Sequence, residues 1–142
     1  MKNRKIIIDC DNTFGVAGCD IDDGLAIVYT LGNAGLDLLG ITTTFGNNLV
    51  DVVYPNTLEF VKNIGMPHIP VFRGGTEDGE DNRAAKFLAE MVNLYPGEVS
   101  VLATGSLTNL YEAWKLNHEF YEKLSEISLM GGITKPLEIN GK

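Results

Sequence analysis

Short apolar runs alternate with longer amphipathic segments along this chain, and that alternation restricts its possible folds more than any other feature. Runs rich in Val, Ile and Thr predict strands, and apolar residues spaced by three and four positions predict helices. The predicted strands cover residues 6–8, 36–44, 69–72, 99–103 and 127–130, and the predicted helices cover residues 22–31, 49–64, 84–94 and 107–116. Pro55 within the second helix predicts a kink or a later start. The pattern predicts an α/β fold with an open, mostly parallel, doubly wound sheet and helices on both faces.

The composition is that of a globular protein with an acidic excess. The 142 residues suffice for one domain or part of one, and 11 Lys and Arg against 19 Asp and Glu give a formal net charge of −8. Such a chain is a poor partner for nucleic acid or an anionic membrane. No apolar run approaches the roughly 20 residues that span a bilayer, and the apolar run after the basic start is too short for a signal peptide. We therefore expect a cytoplasmic protein with Cys10 and Cys19 reduced.

Polar and glycine residues gather where each predicted strand ends. They lie at residues 9–11, 42–47, 73–75, 104–106 and 131–132. In open α/β sheets, ligands bind beyond the carboxyl ends of the strands. The clustering therefore predicts a functional site at this edge of the sheet.

Several aspartates fall close together near the start of the chain, namely Asp9, Asp11, Asp20, Asp22 and Asp23. Aspartates are common in turns and at helix starts, which is the simpler explanation of any one of them. If the intervening loop folds back, several carboxylates meet, and like charges so close need a counter-charge. No Lys or Arg lies between Lys5 and Lys62 to supply it. Oxygen ligands in this number favour a hard divalent cation, and we predict Ca²⁺ before Mg²⁺.

Other candidate sites have less support. His68 and His118 lie far from the aspartates along the sequence, and we expect them to be structural or solvated. A zinc site is therefore not predicted. The glycine-rich segment 73–81 lacks the Gly-Lys-Ser/Thr ending of a phosphate-binding loop, so no nucleotide-phosphate site is predicted.

Four segments, in order along the chain, resemble the inosine-uridine-preferring nucleoside hydrolases. Asp9-Cys10-Asp11 with Asp22-Asp23-Gly24 is similar to the Asp-x-Asp-Pro-Gly-x-Asp-Asp signature of that family. The other three segments are Thr42-Thr43-Thr44-Phe45-Gly46-Asn47, Thr104-Gly105-Ser106-Leu107-Thr108-Asn109 and Leu129-Met130-Gly131-Gly132. The resemblance implies Ca²⁺-dependent hydrolysis of the N-glycosidic bond of purine or pyrimidine ribonucleosides, which gives ribose and the free base.

The resemblance also implies roles for individual residues at the metal. Asp11 would be the general base and a metal ligand. Asp23 and the backbone carbonyl of Thr104 would be the other ligands from this chain. Asp9 would orient these ligands from behind.

Further residues match the part of the family site that binds the sugar. Asp22 and Asn47 would hold the ribose hydroxyls. Glu138 and Asn140 echo a family Glu-x-Asn pair, although the sequence expected after that pair is absent.

The chain departs from the family in two respects. Residues 12–21 form a longer loop without the Pro-Gly of the signature. Family members are about twice as long, and their second half supplies another aspartate ligand and a histidine beside the leaving base. We therefore expect residues 1–142 to be the N-terminal portion of a single nucleoside hydrolase-like α/β domain, weak or inactive in this truncated form. Its exposed sheet edge predicts association into a homo-oligomer.

Two alternatives stay open at this point. Residues 6–13 also resemble the first motif of haloacid-dehalogenase-type phosphatases, in which Asp9 would be the nucleophile and Asp11 the acid/base, with Mg²⁺ present. That family also needs a Lys after a later strand and a late acidic pair; Asp22-Asp23 comes too early, and no later acidic pair follows a strand. The second alternative is a non-catalytic remnant that binds a metal or ribose.

Overall fold

Strands and helices alternate in the computed structural model, which describes residues 3–76 and 81–132. The elements are β1 (Arg4–Cys10), α1 (Asp22–Gly32), β2 (Leu36–Thr43), α2 (Val50–Asn63), β3 (Val71–Arg73), α3 (Arg83–Leu94), β4 (Val99–Ala103), α4 (Thr108–Leu116) and β5 (Leu124–Leu129). Each predicted element is present, with ends that differ by a few residues from those predicted.

The five strands form one parallel sheet with the order β3-β2-β1-β4-β5. The chain builds outward from β1 to β3 and then returns to place β4 on the other side of β1. The predicted open, parallel α/β sheet is confirmed. The strand order reverses between β1 and β4, and in open α/β sheets the ligand crevice lies at this switch point.

Helices cover both faces of the sheet because successive residues of a strand point to opposite sides. Ile7 packs on one side with buried residues of α3 and α4, among them Leu88. Ile8 packs on the other side with Ile27 of α1 and Phe60 of α2. Ile7 and Ile8 are both fully buried, as expected for a central strand that is covered on both faces.

One local prediction needs correction. α2 begins at Val50, ahead of Pro55, so the predicted later start of this helix is wrong. Pro55 lies in the second helical turn, where its nitrogen carries no hydrogen and cannot donate to the preceding turn. α4 ends at Leu116, as predicted, and the ring centroid of His118, which follows the helix, lies 4.9 Å from that of Trp114.

β5 is an edge strand of the described sheet and the strand with the least cover. Residues 125–129 are all exposed, and Leu129 and Met130 keep 49% and 63% of their surface accessible. The opposite edge strand, β3, is only three residues long. In the described ranges, no helix is both long and apolar enough to cross a bilayer.

Candidate active site at the carboxyl ends of β1 and β4

Aspartates of the predicted cluster meet at the switch point of the sheet. Asp9 is the second-last residue of β1, Asp11 directly follows the strand, and Asp23 lies in the first turn of α1. The neighbouring strand β4 ends at Ala103, and the next main-chain N–H, of Thr104, donates to the Asp9 carbonyl at 2.9 Å. This pairing brings Thr104 beside the tip of β1.

Asp23 is almost completely buried beside Asp11. Its Oδ1 accepts a hydrogen bond of 2.6 Å from the Thr104 hydroxyl, whereas its Oδ2 is buried without a donor among the described residues. Burial, together with the neighbouring Asp11 carboxylate, raises the pKa of Asp23 to about 7, against the lowering effect of the Thr104 hydrogen bond. Two carboxylates in contact and one unpaired oxygen form an arrangement that a cation would stabilise.

Asp9 is fully buried behind this pair. Its Oδ1 accepts hydrogen bonds from the Thr42 hydroxyl at 2.5 Å and from Asn109 Nδ2 at 2.8 Å, whereas its Oδ2 has no donor. Burial raises the pKa of Asp9 to about 7, and Asp11 adds to this, although the two hydrogen bonds lower it. A side chain with no accessible surface can orient its neighbours but cannot itself reach a substrate.

The Asp11 carboxylate is held between two loops. Its Oδ2 accepts a hydrogen bond of 2.5 Å from the main-chain N–H of Asn47. A Cβ at Gly46 would lie 2.1 Å from the same Oδ2, and a Cβ at Gly105 would lie 3.2 Å from Asp11 Cγ. Glycine at these positions lets the loops after β2 and β4 close around this carboxylate.

The other predicted residues are placed differently. The side chains of Asp20 and Asp22 are exposed, and of the five aspartates Asp9, Asp11 and Asp23 are the ones that are buried. The Asn47 side chain is also exposed, and its main chain bonds Asp11. Glu138 and Asn140 lie outside the described residues.

The oxygen atoms at this site are of the kind that binds a hard cation, but they form only part of a binding site for one. Carboxylate and hydroxyl oxygens are the ligands that Ca²⁺ prefers, and the unpaired Oδ2 atoms of Asp9 and Asp23 have no other partner in the part of the chain described. Within residues 3–76 and 81–132, no three His, Cys, Asp or Glu side chains lie together in a way that could hold a metal. Further oxygen ligands are therefore required.

The cysteines and histidines are not placed to supply those ligands. Cys10 and Cys19 are free thiols, and burial raises the pKa of the Cys10 thiol well above its usual value. A protonated thiol is a poor metal ligand. His68 and His118 are exposed, in agreement with the prediction that they are solvated.

Other buried polar residues, given no role from the sequence, lie in and around the site. Thr42 and Asn109 bond Asp9, and Asn12 is fully buried, with Nδ2 donating to the Thr57 hydroxyl at 3.4 Å. The one sequence signal that could have indicated them is a polar residue close to the carboxyl end of a buried strand or to the start of a helix. Their partners are distant in sequence, so the pairing itself had no sequence signal.

Gly74, just after β3, lies where any side chain would collide with this site. An added Cβ would lie 2.1 Å from the Thr43 carbonyl oxygen and 2.4 Å from Asn109 Oδ1. Because the first of these is a main-chain atom, the backbone must shift. We expect Gly74→Ala to lower the free energy of unfolding by about 1–3 kcal/mol, the usual cost of overpacking, as measured by urea denaturation.

Gly32 provides the matched control for this substitution. A Cβ there, at the end of α1, would meet nothing within 4 Å. Gly32→Ala should be neutral or stabilise the protein by up to about 1 kcal/mol. Equal losses of stability in the two variants would show that the contact at Gly74 does not matter.

Comparison with known proteins decides the family. The sequence model described as inosine-uridine preferring nucleoside hydrolase matches residues 6–140. The chain belongs to this nucleoside hydrolase family. Uridine nucleosidase 1 of Arabidopsis thaliana is 32% identical, with 92% of this chain and 46% of that protein aligned. The pyrimidine-specific ribonucleoside hydrolase RihB of Escherichia coli (strain SE11) is 28% identical, with 93% of this chain and 49% of that protein aligned.

Solved structures of nucleoside hydrolases share the fold. The plant nucleoside hydrolase PpNRh1 superposes with a TM-score of 0.77 at 28% identity, over 92% of this chain and 48% of that one. A purine-preferring ribonucleoside hydrolase from Gardnerella vaginalis gives a TM-score of 0.79 at 27% identity, over 92% and 49%. The chain thus spans about half the length of the nucleoside hydrolases it matches.

Family membership and burial together argue against the phosphatase alternative. That alternative required Asp9 to attack a phosphoryl group. Asp9 is fully buried, and its Oδ1 is occupied by Thr42 and Asn109. The structure therefore gives this carboxylate no path to a substrate.

Proposed function

We propose that this nucleoside hydrolase cleaves the N-glycosidic bond of ribonucleosides and releases ribose and the free base. The observation that carries the proposal is the contact of Asp11 and Asp23 beside Thr104 at the switch point of the sheet. Relatives are named for uridine, for pyrimidine nucleosides and for purine nucleosides, so we propose the ribonucleosides as a class rather than one base.

Asp11 is proposed as the general base. The bond from ribose to the base breaks through a transition state resembling an oxocarbenium ion, and a water molecule attacks the sugar from the opposite face. Asp11 accepts the proton of that water. The Asn47 N–H and the close packing at Gly46 and Gly105 keep the Asp11 carboxylate in one position, which lowers the entropy cost of orienting it for the reaction.

Asp22 and Asn47 are proposed to bind the ribose hydroxyls. Both side chains are exposed and adjoin buried residues of the site. Asp22 precedes Asp23 in the sequence, and the main-chain N–H of Asn47 donates to Asp11. A carboxylate and an amide in these places can accept and donate hydrogen bonds to a vicinal diol. Their negative charge and dipoles also stabilise the positive charge that develops on the sugar.

Ca²⁺ is the proposed cofactor, with Asp11, Asp23 and the Thr104 carbonyl as its ligands from this chain. Bound there, the ion would lower the pKa of the attacking water. Asp9 supports these ligands from the buried side, with its Oδ1 fixed by Thr42 and Asn109.

The described residues supply part of the oxygen ligands that Ca²⁺ requires. Calcium takes about six to eight oxygens, and within the described ranges no three acidic, His or Cys side chains are arranged so that they could hold a metal by themselves. We propose that residues 1–142 form the N-terminal portion of a single α/β domain and that this portion alone turns over slowly. A remnant that binds metal or ribose without turnover is the second candidate, favoured by the same incomplete ligand set. The predicted cytoplasmic location and homo-oligomeric state stay predictions from the sequence.

Ribose release provides the test of this function. We expect the chain to liberate reducing sugar from uridine or inosine when Ca²⁺ is present, at a rate well below the roughly 10 s⁻¹ of a typical enzyme. A chelator should abolish the release, and added Ca²⁺ should restore it. A phosphate monoester, followed by phosphate release, is the control for the phosphatase chemistry.

The alternatives differ in this assay. Binding of Ca²⁺ or ribose in a calorimeter without any sugar release would favour the remnant. Sugar release that is insensitive to the chelator would contradict the proposed cofactor. Phosphate release from the monoester would contradict the proposed reaction.

A further inference from the structure

Two buried asparagines connect the tip of β1 to the start of α3. Asn109 of α4 is fully buried, and its Nδ2 donates to Asp9 Oδ1 at 2.8 Å and to the Thr43 carbonyl at 2.9 Å. Its Oδ1 accepts from Asn82 Nδ2 at 2.9 Å. Asn82 is also buried, and its Oδ1 accepts from the main-chain N–H of Ala85 at 2.9 Å, which caps α3.

The direction of these hydrogen bonds is set at the α3 end. The first turn of a helix presents only N–H donors, so the oxygen of Asn82 must face the helix and its NH₂ must face Asn109. Asn109 then accepts with its oxygen and presents its own NH₂ to Asp9. The helix start and the carboxylate therefore impose the same orientation on both amides.

Buried amides are costly unless each polar atom is bonded, and here each of them is. The glycine pair after β3 leaves the room that the amides need. A Cβ at Gly74 would lie 2.4 Å from Asn109 Oδ1, and a Cβ at Gly75 would lie 3.2 Å from Asn82 Nδ2. This accounts for Gly74 and Gly75 of the glycine-rich segment 73–81, which have no phosphate-binding role in the proposed function.

We propose that Asn82 and Asn109 are positioning residues that hold the Asp9 carboxylate in one orientation, with Oδ1 bonded and Oδ2 left free for the cation-binding end of the sheet. Thr42 donates to the same Oδ1, so both donors act on one oxygen. Asn82 acts only through Asn109. The hydrogen bonds from Asn82 to Asn109 and from Asn109 to Asp9 do not depend on the reaction. Their role in supporting a cation site rests on the proposed function.

A double-mutant cycle in a chelating buffer tests the connection. Asn82→Asp keeps the oxygen that caps α3 but replaces the NH₂ by an oxygen. To donate a hydrogen bond to this new oxygen at residue 82, the Asn109 side-chain amide must flip by about 180°. The flip places the Asn109 oxygen against the Asp9 carboxylate. Asp9→Asn supplies an NH₂ at that point, so it should restore part of the loss. In urea, the midpoint of the double variant should lie above the value given by adding the two single shifts.

The cycle separates this role from simple helix capping. Asp is itself a good N-cap, so capping alone predicts little loss in Asn82→Asp and no dependence on residue 9. Independent sites give additive shifts. Additive midpoints would therefore overturn the proposal.

Ca²⁺ titration by calorimetry is the second readout. We expect Asn82→Asp to weaken Ca²⁺ binding by up to roughly 10-fold, the lower end of the effect of losing a direct partner of a metal ligand, because Asn82 acts through Asn109 and Asp9. Val92→Ala, at a fully buried core position of α3, is the control that lowers stability but leaves the affinity unchanged. Wild-type affinity in Asn82→Asp would overturn the positioning role. If the unmodified chain binds no Ca²⁺, its own oxygen ligands are too few to hold the ion, and the cycle alone decides on the asparagines.

Discussion

Replacing Asp11 with alanine is expected to lower kcat for ribonucleoside hydrolysis by ~10²–10⁴-fold, the contribution of a positioned general base. Asp11 is 6% exposed, contacts Asp23 and accepts the Asn47 N–H. Its removal takes away both the proton acceptor and a proposed oxygen ligand. The rate of reducing-sugar release at saturating nucleoside and Ca²⁺ measures the loss, in the form of the protein that shows turnover.

Two controls give this result its meaning. Asp37→Asn removes a carboxylate at the opposite end of the sheet, on exposed surface at the start of β2, and should leave kcat unchanged. Asp11→Asn keeps the shape of the side chain, so a loss in this variant reflects charge and basicity rather than a cavity. Near-normal turnover in Asp11→Ala would exclude the proposed base.

Without metal, the fold is expected to lose stability as pH rises from about 4 to about 7. Asp9 and Asp23 have pKa values near 7 in the folded chain because both are buried, whereas an unfolded aspartate has a pKa of about 4. Between these values, the unfolded state gives up its protons and the folded state keeps them, so each group lowers stability by up to about 1.4 kcal/mol per pH unit. In chelating buffer, the melting temperature should therefore be higher at pH 5 than at pH 8.

Calcium should reverse this trend. Metal ligands must be deprotonated, so Ca²⁺ binds the folded chain more tightly at pH 8 and raises the melting temperature more there than at pH 5. Asp9→Asn should flatten the pH dependence in chelating buffer, whereas Asp37→Asn should not change it. The exposed acids Asp81 and Glu119 have pKa values lowered by Lys86 and Lys123, which acts in the opposite direction near pH 4. A metal-free melting temperature that rises steadily from pH 5 to pH 8 would contradict the buried, protonated state of the two aspartates.

The architecture was predictable because it depends on local patterns. Ile7 and Ile8 in a β-branched run, and apolar spacing in α1, indicate a buried strand and a helix that packs on it. The order of the strands was not predictable, because hydrophobic periodicity says which face is buried and nothing about which strand lies beside which. Pro55 shows a similar limit: its propensity opposes a helix, but the packing of α2 on the sheet outweighs one lost hydrogen bond.

The site was predictable in its charged part only. Asp9, Asp11 and Asp23 follow from a strand end and a helix start, which meet in any parallel α/β sheet. Asp20 lies in a long loop whose path the sequence spacing does not determine, and Asp22, the first residue of α1, is exposed although the adjacent Asp23 is buried. Asn109 bonds Asp9 from a position 100 residues away, so no local pattern could reveal the pair.

The groups that would carry the reaction stand in the middle of the sheet rather than at its margins. Asp9 and Asp11 follow β1, Thr104 follows β4, and three further strands lie outside this pair. Because β1 and β4 are each paired on both sides, we expect substitutions in the edge strands β3 and β5 to disturb these groups less than substitutions in the central pair.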